Sequence, residues 1–504
     1  MSLFQKAKSL FAASKNYERV EISGTKHLKG EGIQVPFQGF PLQIRLGSDD
    51  DKLHLFPERL LKSRPEESPS GFVLFNPAHF FSRISGFIRL ERGKKLVLGR
   101  SDPEQTAILS YSDKVNDRHL AVTYPGDALI FRDLHSDTGT TLSVVKAPEE
   151  IERLIRRRQD KLYRLREIFG GPIQALPLLE AQSDLKKVNR IMAQEVHRPK
   201  NSQGQPGSLV RLPDEVTPIL IGDLHARIDN LMNILSENQF LESLENGSAC
   251  LILLGDAVHS EMEDQMEDMT GSMLIMDFIF KLKIRFPNQV FHICGNHDSF
   301  APDVSKGGIP QGLLWEKHLV VERGTRYKQE MDRYYDQLPY VVLAKDFLAC
   351  HASPPSRKVA LEMLIDANEH PGLMEQLIHN RVKRPGYPGG YTSKDVKRFR
   401  KGLGLDPNFT FIVGHNPLNE TETLWLNAGD IENHHIIYGA GFHSVGVFTR
   451  IGDGMIPLSY NTEPLLEVIN ALPERVNGVR CQDSTLGCPR SDTRMKLHGM
   501  TNDK

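Results

Sequence analysis

The chain has 504 residues, 39% hydrophobic and 25% charged, with a formal net charge of −2. That length suits two to four domains, each able to bury a core. The near-neutral charge excludes a global field drawing the chain to nucleic acid or an anionic membrane, so no nucleic-acid partner is expected. No run approaches the roughly 20 apolar residues of a membrane span. Cysteines stand at 250, 294, 350, 481 and 488; an odd number without a pairing pattern fits a reducing compartment. The first twenty residues lack the apolar core of a signal peptide. A cytoplasmic location is therefore expected, in the cell of origin or, after secretion without a cleaved signal, in a host.

In chain order, residues 1–35 read as an N-terminal segment opening on a short amphipathic helix, with Leu3, Phe4, Ala7, Leu10 and Phe11 on one face. Residues 36–148 read as an all-β sandwich. "GFIRLERGKKLVLGRS" predicts two short strands around a turn at Arg92-Gly93. "HLAVTYPGDALIFRDL" predicts a hairpin turning at Pro125-Gly126-Asp127, and "SDTGTTLSVV" a turn and another strand. Residues 149–208 read as a helical connector and linker. Ile151, Leu154, Ile155, Leu162, Leu165 and Ile168 form a helical stripe that Gly170-Gly171-Pro172 ends. "RPKNSQGQPGS" (198–208) then reads as a loose linker.

From 209 to 464 the pattern changes. The apolar runs in "PILIGDLH", "CLILLGDAVH", "VFHICGNHD", "FLACHASP" and "FIVGHNP" end in Gly, Asp, His or Asn, with helical stretches between the early ones. This predicts an α/β region with buried strands, whose polar ends gather at one edge. Residues 465–504 read as a polar, poorly ordered tail. The strand ends supply Asp223, His225, Asp256, Asn296, His297, His351 and His415. Carboxylate, imidazole and amide oxygen suit Mn, Fe or Zn, and no cysteine set marks a structural zinc site. So many donors exceed one open metal site but suit two divalent ions bridged by a carboxylate, which can clamp a phosphoryl group and activate water.

The blocks "GDLHA", "GDAVHS", "GNHD", "CHASP" and "VGHN" resemble, in that order, the signatures of calcineurin-like metallophosphoesterases. The phosphoprotein phosphatase branch, with GDxHG, GDxVDRG, GNH[DE], HGG and a late histidine, is the nearest match over roughly 215–460. The resemblance implies a β-sandwich flanked by helices, with mixed rather than purely parallel sheets. It implies one metal on Asp223, His225 and Asp256, and a second on Asp256, Asn296, His351 and His415, with Asp256 the bridge. Manganese is the first choice, iron and zinc the alternatives. His297 matches the general acid towards the leaving oxygen, a role an imidazole can fill near neutral pH. Pro417 stands where diesterases of the superfamily carry a second metal histidine, which favours the phosphatase branch.

The sequence also departs from that pattern. Ser260 stands where the family places a phosphate-binding arginine. His259 replaces the aspartate that holds the catalytic histidine, a change resembling a bacterial effector-like subgroup, some members acting on phosphotyrosine. "LIHNRVKRPGY" makes Arg381 the best match to the family's later arginine, with Arg227 a substitute clamp. In the N-terminal region, "KLVLGRS" and "NDRHLAVTYPGDALIFRDLHSDTGTTL" resemble a forkhead-associated (FHA) domain. There Arg100, Asn116 and Thr138 take the positions that bind phosphothreonine, which implies a phosphothreonine partner. The expected activity is hydrolysis of a phosphomonoester on Ser, Thr or Tyr of a protein. The alternatives are a nucleotide or dinucleoside-polyphosphate hydrolase, and an inactive phosphoprotein-binding adaptor.

Overall fold

The strands between Glu18 and Val144 pair into two sheets, one of five strands and one of six. The computed structural model describes residues 17–58, 68–80, 82–145, 147–386, 389–416, 418 and 422–474. The expected helix at 3–11, Pro417, Cys481 and Cys488, and the side chains of Ile151, Leu154 and Ile155, lie outside the described residues. The "HLAVTYPGDALIFRDL" hairpin is present: Leu120–Thr123 runs antiparallel to Ala128–Asp133. The turn at Arg92-Gly93 is also present, but it joins two sheets rather than a hairpin. Ile88–Glu91 pairs with Gly71–Phe75, while Lys95–Leu98 pairs with Leu120–Thr123. The β region also starts earlier than residue 36. Thr25–Leu28 pairs with Thr140–Val144, and Gly32–Pro36 with Ala128–Asp133. Those partners are distant in sequence, so no local pattern announces them.

A helix, Ala147–Phe169, follows and lies on the C-terminal region. Leu162 and Leu165 of the expected stripe are buried. Arg158 pairs with Glu463 and Glu237, and Arg164 with Glu242 and Glu245. The segment read as a loose linker is instead pinned. Arg198 is buried; its guanidinium donates to the carbonyls of Gly207, Pro206 and Gln337 and pairs with Glu195. A buried arginine needs such partners, and here they close 198–208 into a tight loop.

Two more sheets form the C-terminal region. One runs in the order Leu209–Arg211, Val341–Leu343, Phe347–Cys350, Thr410–Val413, His434–Ile437, Leu424–Trp425. The other runs Val290–His292, Ala249–Leu253, Thr217–Ile221, Ser444–Ile451, Gly454–Asn461. Both are mixed: Thr217–Ile221 is parallel to Ala249–Leu253 and antiparallel to Ser444–Ile451. Alternate residues of one strand serve different cores. Val342, Phe347, Ala349, Ile412 and Ile437 face Leu220, Cys250, Ile252 and Phe291 of the other sheet. Val341, Leu348, Phe411, Val413 and Ile436 pack outward with Leu364, Leu377, Val396 and Phe399 from the helices Leu361–Ile365, Pro371–His379 and Ser393–Gly402. Burial on both faces explains the uninterrupted apolar runs, each such side chain contributing about 1.5–3 kcal/mol. Cys250, Cys294 and Cys350 are free and buried, and burial pushes the Cys250 thiol up to about 12. No helix among the described residues is long and apolar enough to cross a membrane.

Candidate active site

Each strand that carries a candidate ligand ends in a sharp turn. His225, Asp256, His259 and His415 all have positive φ (42°, 49°, 67° and 60°), a region non-glycine residues rarely occupy. That strain re-aims consecutive strand ends into one pocket, as functional sites often do. The glycines before them allow close approach: a Cβ at Gly295 would collide with the Asp256 carboxylate, and one at Gly414 with that of Asp223.

Two donor groups result. Asp223, His225 and Asp256 form one, and Asp256, His351 and His415 the other; within each, one atom per residue lies within 4.8 Å of the rest, and Asp256 belongs to both. All five residues are buried. His351 Nε2 lies 3.0 Å from Asn296 Oδ1, 3.1 Å from His415 Nδ1 and 3.4 Å from Asp256 Oδ2. Its Nδ1 is 2.7 Å from the Leu254 carbonyl, which orients the ring. The His415 amide donates to the Asp223 carboxylate at 2.9 Å. The Asp256 amide donates to Asp298 Oδ2 at 2.9 Å, and so does that of Gly295. Asp298 therefore fixes the ligand-bearing backbone and does not orient His297.

The field in this cluster favours a cation. Burial pushes the Asp223 carboxyl up to about 6, helped by the neighbouring Asp256 charge. Burial acts against Asp256 too, yet His351, His297 and His225 hold it well below the usual carboxylate range. His351 is raised to about 9 despite its burial, because Asp256 and Asp223 face it. Paired carboxylates, close imidazole nitrogens and an amide oxygen fit hard or borderline divalent ions. The residues present thus fit the two expected metals.

A cavity of about 350 Å³ opens over the cluster, lined by Asp223, His225, Asp256, Asn296 and His415 with His297, Arg381, Glu261, Lys306 and Tyr438 among others. His297 Nδ1 lies 3.1 Å from His259 Nδ1, so one ring donates to the other and His297 Nε2 takes no part in that bond. His259 is fully buried, and burial, with His297 and His225 nearby, lowers it to about 3, so the histidine that stands in place of the aspartate of the resembled family is a neutral partner. Its carbonyl lies 3.1 Å from His225 Nδ1, so the residue positions two site histidines at once. Arg381 Nε donates to His415 Nε2 at 3.1 Å, which puts the arginine at the cavity wall. Arg227 instead stacks on Phe442, 3.9 Å from the ring centroid, and is not among the lining residues.

Other lining residues carry no mark in the sequence, among them Glu261, Lys306 and Tyr438. Glu261 pairs with Lys306, accepts from the Tyr438 hydroxyl at 2.7 Å and lies 3.4 Å from His225 Nε2. Although burial raises it, His225 and Lys306 bring Glu261 down to about 2. Glu261 sits two residues past His259, but nothing local marks Lys306 or Tyr438. In the N-terminal sandwich, the expected phosphothreonine residues are engaged internally. Asn116 Nδ2 donates to Asp137 at 2.8 Å, Arg100 lies 3.6 Å from Asp117, and the Thr138 hydroxyl donates to the Leu46 carbonyl at 2.8 Å.

A search of curated proteins found no match to the chain. Among solved structures, the chain is similar to a protein serine/threonine phosphatase from Saccharomyces cerevisiae described as similar to human phosphatase PP5, at 15% identity and a TM-score of 0.44, over 57% of this chain and 91% of that one. It is also similar to the cold-active protein-tyrosine phosphatase of a psychrophile, Shewanella sp., at 13% identity and a TM-score of 0.34, over 50% of this chain and 83% of that one. The family model described as calcineurin-like phosphoesterase matches residues 217–442, the segment that carries every ligand of the buried Asp/His cluster, and the chain thus contains a calcineurin-like metallophosphoesterase domain.

Proposed function

We propose that this domain is a dinuclear-metal phosphomonoesterase acting on phosphorylated Ser, Thr or Tyr side chains of proteins. The carrying observation is the pair of buried donor groups that share Asp256 beneath an open cavity. Divalent ions bound there, manganese first among the candidates, supply positive charge for the phosphoryl oxygens and lower the pKa of an attacking water. Asp256 would be shared between the two ions, with Asp223 and His225 completing the ligands of one and Asn296, His351 and His415 those of the other. Arg381 donates from the cavity wall to a phosphoryl oxygen. His297, held by His259, gives its proton to the departing oxygen.

A second opening supports a peptide rather than a nucleotide. A groove of about 650 Å³ shares Asn296 and Ser305 with the cavity and is lined by Asp303, Asp336 and Glu375 as well as by Tyr340 and His379. It gives room for chain flanking a phosphorylated residue, and its carboxylates repel a polyphosphate. The N-terminal sandwich is read as a docking module of FHA type, in which a phosphothreonine has to displace Asp137 from Asn116 and Asp117 from Arg100.

The test is turnover of matched phosphoserine, phosphothreonine and phosphotyrosine peptides beside ATP and a dinucleoside polyphosphate, all with Mn²⁺. Peptide turnover exceeding nucleotide turnover is expected. Preference for the nucleotides rejects the protein-substrate reading, and no hydrolysis together with phosphopeptide binding favours the adaptor.

A further inference from the structure

Charged donors bind a phosphate ester more strongly than neutral ones, and the arginine that the resemblance places after the second block is Ser260 here. Ser260 is buried and its hydroxyl accepts from the Met262 amide at 3.3 Å, while its carbonyl accepts from Gln311 Nε2 at 2.9 Å. It is a structural residue with no charge to offer. Among the described residues lining the cavity, the lysine and arginine side chains are Lys306 and Arg381.

The two sit at opposite ends of the ligand cluster. Arg381 touches His415, in the donor group that holds His351. Lys306 pairs with Glu261, whose carboxylate is 3.4 Å from Nε2 of His225, in the group that holds Asp223. Lys306 is fixed by a tight turn: its amide donates to the Ile309 carbonyl at 3.1 Å, and the Ile309 amide donates back at 2.9 Å. Gly307 and Gly308, at φ 57° and 83°, make that turn. The Tyr438 hydroxyl holds Glu261 from the other side at 2.7 Å. The Lys306 side chain remains 39% exposed and that of Glu261 29%, so water and an incoming anion both reach the pair. An ion pair this open is weak and exchangeable. An ammonium has three donors, so it can keep Glu261 and take a phosphoryl oxygen together.

We propose that Lys306 is a phosphate-binding residue of this site, supplying at the His225 end the cation that Ser260 does not. The proposal rests on the phosphomonoesterase reading for its substrate, but its test reads binding rather than turnover. Inorganic phosphate is titrated by calorimetry into the full-length Mn²⁺-supplemented protein and into Lys306→Ala, Lys306→Arg and Glu261→Gln. Loss of one charged hydrogen bond in Lys306→Ala weakens phosphate binding about tenfold. Lys306→Arg recovers most of that loss. Glu261→Gln, which removes a competing negative charge, binds phosphate as tightly as the wild type or more tightly. Unchanged affinity in Lys306→Ala overturns the proposal, as does an equal loss in the Ala and Arg variants, a weaker Glu261→Gln, or no phosphate binding by the wild type. Phosphate binding without turnover of any phosphopeptide counts against the phosphomonoesterase reading instead and leaves the comparison among variants intact.

Discussion

His297 has a neutral imidazole for a partner, and that decides what removing it should do. A positioned general acid contributes about 10²–10⁴-fold when the leaving group needs a proton, and little when it does not. His297→Ala should therefore cost phosphoserine or phosphothreonine peptides far more turnover than an activated aryl phosphate. Equal losses on both would remove His297 from the acid role. A second residue-level consequence concerns stability. His434 is fully buried, 2.8 Å from the Tyr391 hydroxyl, and burial lowers it from 6.5 to about 3; His435 is lowered to about 4 for the same reason. The unfolded chain binds these protons below about pH 6.5 while the folded chain does not, so stability falls as pH drops through that range. For one such histidine the loss at pH 5 is about 2 kcal/mol relative to neutral pH. The urea midpoint of His434→Phe should accordingly fall less between pH 7.5 and 5 than that of the wild type; parallel falls would contradict the buried neutral state. At this scale, the metal-ligand candidates were legible because their chemistry is local: a polar residue directly after an apolar run. Glu261, Lys306 and Tyr438 were not, because each acquires its meaning from a partner on another element.

Among elements, the segment 198–208 shows how composition misleads. Its Asn, Ser, Gln, Gly and Pro content reads as a linker, yet the buried Arg198 guanidinium ties its carbonyls to Gln337 and Glu195. Lys283, also buried, pairs with the same Glu195 and donates to the carbonyls of Pro287 and Val290. Replacing Arg198 by Leu leaves several carbonyls unpaired and should destabilise the protein by about 3 kcal/mol or more. Urea unfolding would measure this, and limited proteolysis should open 198–208 in the variant only. A loss below about 1 kcal/mol would show that the loop is held by other means. The strands tell the opposite story. Their type and approximate position were legible from apolar runs and turn residues, whereas their partners were not. The Arg92-Gly93 turn reads like a hairpin locally, but the two strands it joins belong to different sheets.

Across the whole molecule, the N-terminal sandwich and the metallophosphoesterase region share a bonded junction. Asn238 accepts from the Ser85 amide at 3.1 Å and donates to the Ser85 carbonyl at 2.7 Å and the Tyr460 hydroxyl at 3.1 Å. Arg89 donates to the Ser459 carbonyl at 2.6 Å, and Asn461 to Glu58 at 3.2 Å. Asn238→Ala strands both backbone groups of Ser85 in a buried position, at a cost of about 2 kcal/mol. Amide exchange should then quicken on both sides of the junction, near 85–89 and near 456–460. Quickening on one side alone would mean that the two regions are not coupled through this contact.

The sequence by itself determined the class of chemistry. Strand-end Asp, His and Asn residues suited two divalent ions by donor type, and the order of their blocks carried the resemblance to metallophosphoesterases. Only the tertiary structure brought Asp256 within reach of both donor groups, as the resemblance implied, set His259 against His297 as a neutral imidazole, and placed Lys306 at the cavity where Ser260 does not serve. Those are facts about distance between residues far apart in the chain, and distance is set by sheet order and loop packing rather than by any local pattern.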